Sequence, residues 1–360
     1  MARPTFHSLT VSDVRKETAD CVSIAFKIPD ELTELYQFKA GQYLTLRADI
    51  DGQDTRRSYS ICSSPSSGEL RVAIKRVEGG LFSTWANQKI SAGQSLQVMT
   101  PAGKFTTEIP AATSRKYLMI GAGSGVTPLI SITRELLHSD QNAEVIMLLG
   151  NRFFNAIIFR DELEDMKDRF IGRFRLFHVL SGEPNDIALL AGRIDEAKLE
   201  AYANTMIDVS RIDEAFICGP VELTETSRSW LTAKGLGESQ IHFELFTTPG
   251  QKENISIKKE VHAPTESRCS VTMIMDGLES RFFMPMDGTT ILDAAQNNKA
   301  DIPFSCKGGM CCTCRAHISE GSANMKVNYA LEPGEVEAGY VLTCQAVPST
   351  AEITVDFDRH

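Results

Sequence analysis

Apolar and polar positions change their period twice along this chain, and the changes divide it into three segments. In the first, apolar residues come in short alternating runs: Cys21-Val22-Ser23-Ile24-Ala25-Phe26, Tyr43-Leu44-Thr45-Leu46 and Leu70-Arg71-Val72-Ala73-Ile74-Lys75. A period of two places successive side chains on opposite faces of a strand. Turn-forming groups separate the runs, among them Ala40-Gly41, Asp51-Gly52 and Ser66-Ser67-Gly68. Many short strands with such punctuation predict an antiparallel β-barrel or sandwich over residues 1–108.

From residue 109 to 246 the pattern becomes continuous apolar strands separated by helical stretches. The strands are Tyr117-Leu118-Met119-Ile120, Val145-Ile146-Met147-Leu148-Leu149, Phe174–Leu180, Ala215-Phe216-Ile217-Cys218 and Ile241–Phe246. Helical patterns cover Leu129–His138 and Phe159–Lys167, and a further helix ends near Lys234-Gly235. Strands apolar on both faces and joined by crossover helices predict an α/β, doubly wound parallel sheet. Residues 247–262 are polar, contain Pro249-Gly250 and Lys258-Lys259, and read as a linker. The last segment, 263–360, opens with Val271–Met275, an Asp276-Gly277 turn and Ser280–Met284, which is a hairpin signal. A short helix over Ile291–Asn297 comes next.

Composition places this multidomain chain among ordinary globular proteins: 360 residues, 42% hydrophobic and 23% charged. The net charge is -10, spread as +1, -6 and -5 over residues 1–108, 109–250 and 251–360. An acidic chain argues against a nucleic-acid partner. No run approaches the roughly 20 apolar residues of a membrane helix. The start, Met1-Ala2-Arg3-Pro4-Thr5-Phe6-His7, carries no apolar core or cleavage signature, so a cytoplasmic protein with no membrane partner is expected.

Nine cysteines are present; Cys21, Cys62, Cys218 and Cys269 are scattered, and five fall in the last 55 residues. In a reducing compartment such crowding points to metal rather than disulfides. Cys306-Lys307-Gly308-Gly309-Met310-Cys311-Cys312-Thr313-Cys314 gives C-x4-C-x2-C, and Cys344 follows after 29 residues. That is the plant-type [2Fe-2S] spacing. Two irons need four thiolates in a small volume; a glycine-bearing loop supplies three and a distant strand the fourth. Zinc usually takes paired C-x2-C or histidines, and only His317 is near. The segment resembles plant-type ferredoxins, of α+β, β-grasp-like fold. The resemblance implies the ligands Cys306, Cys311, Cys314 and Cys344, with Cys312 a bystander, and a one-electron centre near about -400 mV.

In the first segment Arg56-Arg57-Ser58-Tyr59-Ser60 combines a forked donor suited to pyrophosphate, a flat ring and a small hydroxyl. Val72-Ala73-Ile74-Lys75 and Gly79-Gly80-Leu81-Phe82-Ser83-Thr84 lie downstream, the glycines allowing close backbone approach to phosphate. In the second segment Gly121-Ala122-Gly123-Ser124-Gly125-Val126-Thr127-Pro128 follows a strand and opens a helix, where backbone N–H groups hold phosphate. Its G-x-G-x-G spacing differs from the Rossmann G-x-G-x-x-G. A glycine-rich turn also serves simple strand–helix packing.

These motifs, in this order, resemble the ferredoxin–NADP reductase superfamily. The resemblance implies FAD in the barrel, bound with the help of Ser58, with Arg57 toward its pyrophosphate, Tyr59 stacked on the isoalloxazine and Ser60 near N5. It also implies Ile74 and Lys75 at the ring edge and Gly80, Phe82, Ser83 and Thr84 at the pyrophosphate. Gly121, Gly123, Gly125, Thr127 and Pro128 would form the pyridine-nucleotide loop. Cys218, with Gly219 and Pro220, would flank the nicotinamide, Glu244 would join a polar network with Ser60 and Cys218, and Phe246 would cover the flavin. After the second strand of this segment, Gly150-Asn151-Arg152 lacks the acid typical of a ribose 2′-OH site, and Arg152 suits a 2′-phosphate, so NADPH is expected ahead of NADH.

A hydride donor gives two electrons and a [2Fe-2S] centre takes one, and a flavin between them reconciles the counts. The expected order is therefore NADPH, FAD, cluster. A reductase unit fused to a ferredoxin resembles the electron-supplying components of multicomponent oxygenases. The opening Phe6-His7-Ser8-Leu9-Thr10-Val11, Thr248-Pro249-Gly250 and the tail from Tyr329-Ala330-Leu331-Glu332-Pro333 to Gly339–Ala346 carry that resemblance along the whole chain. It implies a di-iron oxygenase subunit as acceptor. A steroid hydroxylase or aromatic-ring dioxygenase is the alternative acceptor, and a redox sensor without turnover the alternative class.

Overall fold

A computed structural model describes residues 5–107, 114–246, 268–275 and 277–359. The expected linker, the Thr248-Pro249-Gly250 stretch and Asp276 of the hairpin turn lie outside the described residues. Those described form two compact units, one of residues 6–55 and 59–246, the other of 268–359 together with 5 and 56–58.

The first strands along the chain are β1 (Phe6–Thr18), β2 (Cys21–Lys27), β3 (Tyr43–Ile50), β4 (Gln53–Ser60) and β5 (Leu70–Lys75), then helix α1 (Leu81–Lys89) and β6 (Ser95–Met99). They form one six-stranded sheet in the order β4-β3-β6-β1-β2-β5. An antiparallel bridge from Ile61, just past β4, to Val72 on β5 joins the two ends, and Cys62 N–H donates to the Arg71 carbonyl at 2.9 Å. This closes the sheet into the expected barrel. Leu9, Ile24, Leu44, Leu46, Ile61, Val72, Ile74 and Val98, all fully buried, fill it.

The chain continues through β7 (Lys116–Ala122), α2 (Val126–Ser139), β8 (Glu144–Asn151), α3 (Arg160–Arg169), β9 (Phe174–Leu180), α4 (Glu196–Thr205), β10 (Glu214–Gly219), α5 (Val221–Ala233) and β11 (Ile241–Leu245). The sheet is parallel in the order β11-β10-β7-β8-β9. Its strands are buried on both faces: Met119, Met147, Leu149 and Phe216 pack toward α2 and α3, while Leu118, Ile120, Ile146 and Ile217 pack toward α4 and α5. The order reverses between β7 and β10. Connections leave those two strands in opposite directions and open a crevice at their C-terminal ends, where ligands of such sheets bind. Helix α2 begins at Val126, three residues before the expected Leu129, because Pro128 falls in the first turn, where no amide donor is needed.

The smaller unit holds β12 (Arg268–Met275), β13 (Leu278–Pro285), α6 (Ile291–Asn297), β14 (Arg315–Glu320), β15 (Ala323–Met325), α7 (Pro333–Glu337), β16 (Tyr340–Leu342), β17 (Ala346–Pro348) and β18 (Glu352–Asp356). Met275 pairs with Leu278 across the expected two-residue hairpin. The five-stranded sheet runs β13-β12-β18-β14-β16, with β12 and β18 parallel at its centre. Thr290 caps α6 by accepting the Asp293 N–H, and Ile291, Leu292, Ala294 and Ala295 face the core. This is the β-grasp arrangement expected, with the cysteine loop between α6 and β14.

Candidate flavin, nucleotide and iron–sulfur sites

Ser60 ends β4 and Glu244 lies on β11, yet the two meet: the Ser60 hydroxyl donates to Glu244 Oε2 at 3.2 Å. Cys218 and Glu244 are register partners on adjacent parallel strands. Ser60, Cys218 and Glu244, 184 positions apart at the extremes, thus converge at the C-terminal ends of β10 and β11. The Glu244 side chain is half-buried, and that burial pushes its pKa up to about 7, the Ser60 hydrogen bond opposing only in part. Burial, and then the nearby Glu244 charge, raise the Cys218 thiol well above its ordinary value, so it stays protonated. Phe246 follows β11 directly, with its N–H bonded to the Gly219 carbonyl at 2.9 Å and its ring packed on the core.

On β4, Arg57 is exposed and its Nη1 donates to the Arg56 carbonyl at 2.7 Å; Ser58 follows it on the strand. The Tyr59 ring, half-exposed, leans on Phe82 at 5.7 Å, and Phe82 meets Trp85 edge-on at 5.5 Å. Phe82 is therefore a core prop for Tyr59, and what it offers a phosphate is its backbone N–H at the start of α1. No side chain among the described residues caps that helix start, and its N-cap is Gly80. A Cβ at Gly80 would come within 2.6 Å of Ser83 Oγ, which accepts the Val77 N–H at 3.1 Å and donates to the Gly80 carbonyl at 3.3 Å. The Thr84 N–H is taken by the Gly80 carbonyl at 3.0 Å. Ile74 is buried in β5, leaving its backbone as the contact, and Lys75 lies 3.8 Å from Asp20. An uncapped helix start together with a propped aromatic ring suits a flavin dinucleotide.

At the crevice of the parallel sheet, Gly121 is the last residue but one of β7, and Gly123 and Gly125 span a single 3-10 turn before α2. A Cβ on Gly125 would lie 2.0 Å from the Cys218 carbonyl oxygen, so only glycine fits. Gly219 and Pro220 lead from β10 into α5, whose N-cap is Pro220. Thr127 is buried and donates to the Ser124 carbonyl at 3.0 Å; Pro128 is buried beside it. Asn151, at the end of β8, keeps its side-chain amide buried with no hydrogen-bond partner among the described residues. Such a buried orphan donor at the C-terminal end of a parallel strand suits a polar ligand. Arg152 is exposed, with its guanidinium 5.1 Å from the Phe153 ring.

In the smaller unit the four expected cysteines are two pairs. The Cys311 thiol donates to Cys306 Sγ at 3.1 Å, and Cys314 and Cys344 act on each other: the Cys314 thiol is held protonated and the Cys344 thiol is made more acidic. The Cys311 thiol, together with the N–H groups of Gly308, Met310 and Cys311, pulls the Cys306 thiol down to about 6. Two pairs of sulfurs, one of them in a nest of amides that favours thiolate, match two irons that each take two thiolates. Gly309 has φ +74 and its carbonyl accepts the Tyr329 N–H at 3.0 Å. Cys312 points elsewhere, its thiol donating to the Ala330 carbonyl at 3.4 Å. Sequence reading did not single out Gln345 and Thr343. Gln345 Nε2 donates to the Lys307 carbonyl at 2.9 Å and lies 3.7 Å from Cys344 Sγ; Thr343 Oγ1 donates to the Cys314 carbonyl at 3.0 Å. Their flanking position beside Cys344 was the only signal available.

Comparison with known proteins agrees with this architecture. Residues 8–107 match an oxidoreductase FAD-binding domain, 119–229 an oxidoreductase NAD-binding domain and 274–349 a 2Fe-2S iron-sulfur cluster binding domain. The chain is thus an oxidoreductase of the electron-transfer class, a flavin and iron–sulfur reductase component served by a pyridine nucleotide. It is 42% identical to a subunit of the 1,2-phenylacetyl-CoA epoxidase of Escherichia coli K12, over 98% of each chain. It is 33% identical to the ferredoxin reductase component of 3-ketosteroid-9-alpha-monooxygenase of Rhodococcus rhodochrous, over 97% of this chain and 96% of that one. Phthalate dioxygenase reductase has the same fold, with a TM-score of 0.59 over 98% of both chains at 22% identity. The chain belongs to the family of oxygenase reductase components that includes this 1,2-phenylacetyl-CoA epoxidase subunit. No helix among the described residues is long and apolar enough to cross a membrane.

Proposed function

We propose that this chain takes hydride from NADPH onto FAD and passes single electrons through a [2Fe-2S] cluster to the di-iron oxygenase of a phenylacetyl-CoA epoxidase, in the cytoplasmic breakdown of phenylacetate. The observation that carries the reading is the pairing of the four cysteines in one unit and the meeting of Ser60, Cys218 and Glu244 in the other. The 42% identity to an epoxidase subunit, against 33% to a steroid monooxygenase component, favours the epoxidase as acceptor. Bound together, the groups supply the change from a two-electron to a one-electron carrier. The flavin domain ends at residue 108, the nucleotide domain at 246, and a linker to 262 precedes the cluster domain.

Cys306, Cys311, Cys314 and Cys344 hold the cluster, and Cys312 does not. Arg57, Ser58, the backbone N–H groups of Phe82 and Ser83 and the Thr84 side chain bind the flavin phosphates, with Gly80 leaving them room; Tyr59 and Phe246 cover its ring, and Ile74 and Lys75 meet its edge. Gly121, Gly123, Gly125, Thr127, Pro128, Gly219 and Pro220 shape the nucleotide crevice, and Asn151 and Arg152 receive the adenosine end. Arg152, standing where an acid would select NADH, recognises a 2′-phosphate. Ser60 and Cys218 orient the reacting rings. Ionised, Glu244 places negative charge where the nicotinamide turns cationic. The acidic balance of residues 251–360 gives the acceptor a surface to dock on by complementary charge, so electron delivery should weaken as salt rises.

The deciding experiment is NADPH oxidation in air-saturated buffer by the loaded chain mixed with purified epoxidase oxygenase subunits. Turnover coupled to phenylacetyl-CoA, and not to free phenylacetate or a 3-ketosteroid, is expected. Coupling to the steroid system instead would transfer the chain to that acceptor.

A further inference from the structure

A second polar cluster lies on the same sheet face as the Cys218 and Glu244 pair, one step nearer the strands' N-terminal ends. Glu214, the first residue of β10, collects three donors. Its Oε2 accepts the Thr107 hydroxyl at 2.8 Å and lies 3.1 Å from His242 Nε2, and its Oε1 accepts Arg115 Nη1 at 2.7 Å. Burial works to raise this carboxyl, but His242, Thr107 and Arg115 outweigh it and hold it below the ordinary range. The His242 ring lies flat on Phe216, centroids 4.6 Å apart and planes 19° from parallel, and Phe216 meets Phe105 edge-on at 5.6 Å. Tyr117 is the register neighbour of Glu214 on the other side, and Phe216 pairs with His242 as Cys218 pairs with Glu244.

The geometry has a direct consequence for the flavin site. Alternate residues of a strand share a face, so Glu214, Phe216 and Cys218 form one column and His242 and Glu244 the next. Strand β11 is the edge of the sheet, paired with β10 alone among the described strands. Its backbone ladder fixes the strand on one side; Phe243 lies under the Arg228 guanidinium on one face, and the His242 contacts hold the other face, the one Glu244 shares. Thr107, leaving the barrel, and Arg115, entering β7, complete the anchor from outside the strand pair.

We propose that Glu214 and His242 are positioning residues, a latch that fixes edge strand β11 and so holds the Glu244 carboxyl against Ser60. Neither touches the reacting atoms. The inference rests on the reading of Glu244 given above and extends it to the residues that place it.

The test uses full-length chains loaded with FAD and cluster: Glu214→Gln, His242→Phe, the conservative His242→Gln and, in parallel, Glu244→Gln. Hydrogen exchange is followed over peptides spanning 241–246, and flavin reduction by NADPH is followed from pH 5.5 to 8.5. Exchange across 241–246 is expected to speed at least tenfold in Glu214→Gln and His242→Phe, with β7 and β8 unchanged. The pH limb that Glu244→Gln abolishes should shift or flatten in the same two variants, with the KM for NADPH within twofold, and His242→Gln should restore both. Unchanged exchange in the two latch variants overturns the proposal. An unmoved pH limb beside faster exchange overturns it too, since the pair is then only a stabilising contact. A Glu244→Gln chain indistinguishable from the parent sinks the Glu244 reading, and the positioning role with it; that failure shows in its own variant, whatever the latch variants do.

Discussion

Gly125 and Cys218 leave no room between them: a Cβ added to the glycine would lie 2.0 Å from the Cys218 carbonyl oxygen. The relationship ties the nucleotide loop after β7 to the end of β10, the two strands that border the crevice. Gly125→Ala must push these strand ends apart. Overpacking of this kind costs about 1–3 kcal/mol. The NADPH KM is expected to rise at least tenfold while flavin content is kept, as steady-state kinetics with ferricyanide will show.

The paired sulfurs give a prediction that separates ligands from their neighbour. Cys306→Ser and Cys314→Ser should lose the cluster's visible absorption and iron, and with them rapid reduction of cytochrome c. Reduction of ferricyanide directly from the flavin should persist. Cys312→Ser should keep its iron, because that thiol is engaged with the Ala330 carbonyl. Iron analysis of the three purified variants decides it.

Glu244 links pH to stability in a direction opposite to most carboxylates. Its folded pKa, about 7, stands above the ordinary 4.5, so the fold favours the protonated form. The fold carries no penalty below the ordinary value; the penalty grows as pH rises from there through about 7, reaching at most about 3 kcal/mol. The chain's two tryptophans, Trp85 and Trp230, both lie in the larger unit, so their fluorescence reports that unit alone. In the flavin-free chain the thermal midpoint should fall between pH 5 and 8, and Glu244→Gln should flatten that fall.

The same group sets a kinetic prediction. Since the ionised carboxylate is the form that favours a cationic nicotinamide, flavin reduction should quicken as pH rises through about 7. Glu244→Gln should be slower by one to two orders of magnitude and indifferent to pH over that range. Stopped-flow reduction of the loaded chain reads both.

The proposed preference for NADPH is tested at Arg152. Arg152→Ala should raise the KM for NADPH by ten- to a hundredfold and leave that for NADH within twofold. Equal losses with both cofactors would assign the arginine to the shared part of the nucleotide.

Much of this was legible in the order of residues, for reasons that differ by element. The parallel strands could be read because burial on both faces leaves unbroken apolar runs, as in Val145–Leu149. The cysteine loop could be read because cluster geometry dictates spacing. Strands β1, β4 and β6 were not identified: β4 is Gln53-Asp54-Thr55-Arg56-Arg57-Ser58-Tyr59-Ser60, a polar strand whose place in the barrel is set by pairing rather than by its own pattern. Helix α1 hid behind its role as a motif, and α4, with only Leu199 and Tyr202 buried, shows too narrow an apolar stripe to stand out. The contact between Ser60 and Glu244 spans 184 positions, and nothing local encodes it; only the resemblance to a reductase brought the two together. The anchor at Glu214 and His242 had no motif at all, since its parts come from four separate stretches.

The central claim is a single electron route through this chain, and anaerobic titration of the FAD- and iron-loaded protein with NADPH tests it most directly. Monitored by absorption and electron paramagnetic resonance, about one and a half equivalents of NADPH, three electrons per chain, should bleach the flavin and turn the cluster paramagnetic, and in Cys306→Ser only the flavin should respond. NADPH consumption that leaves the cluster of the parent chain diamagnetic at every ratio would contradict the account.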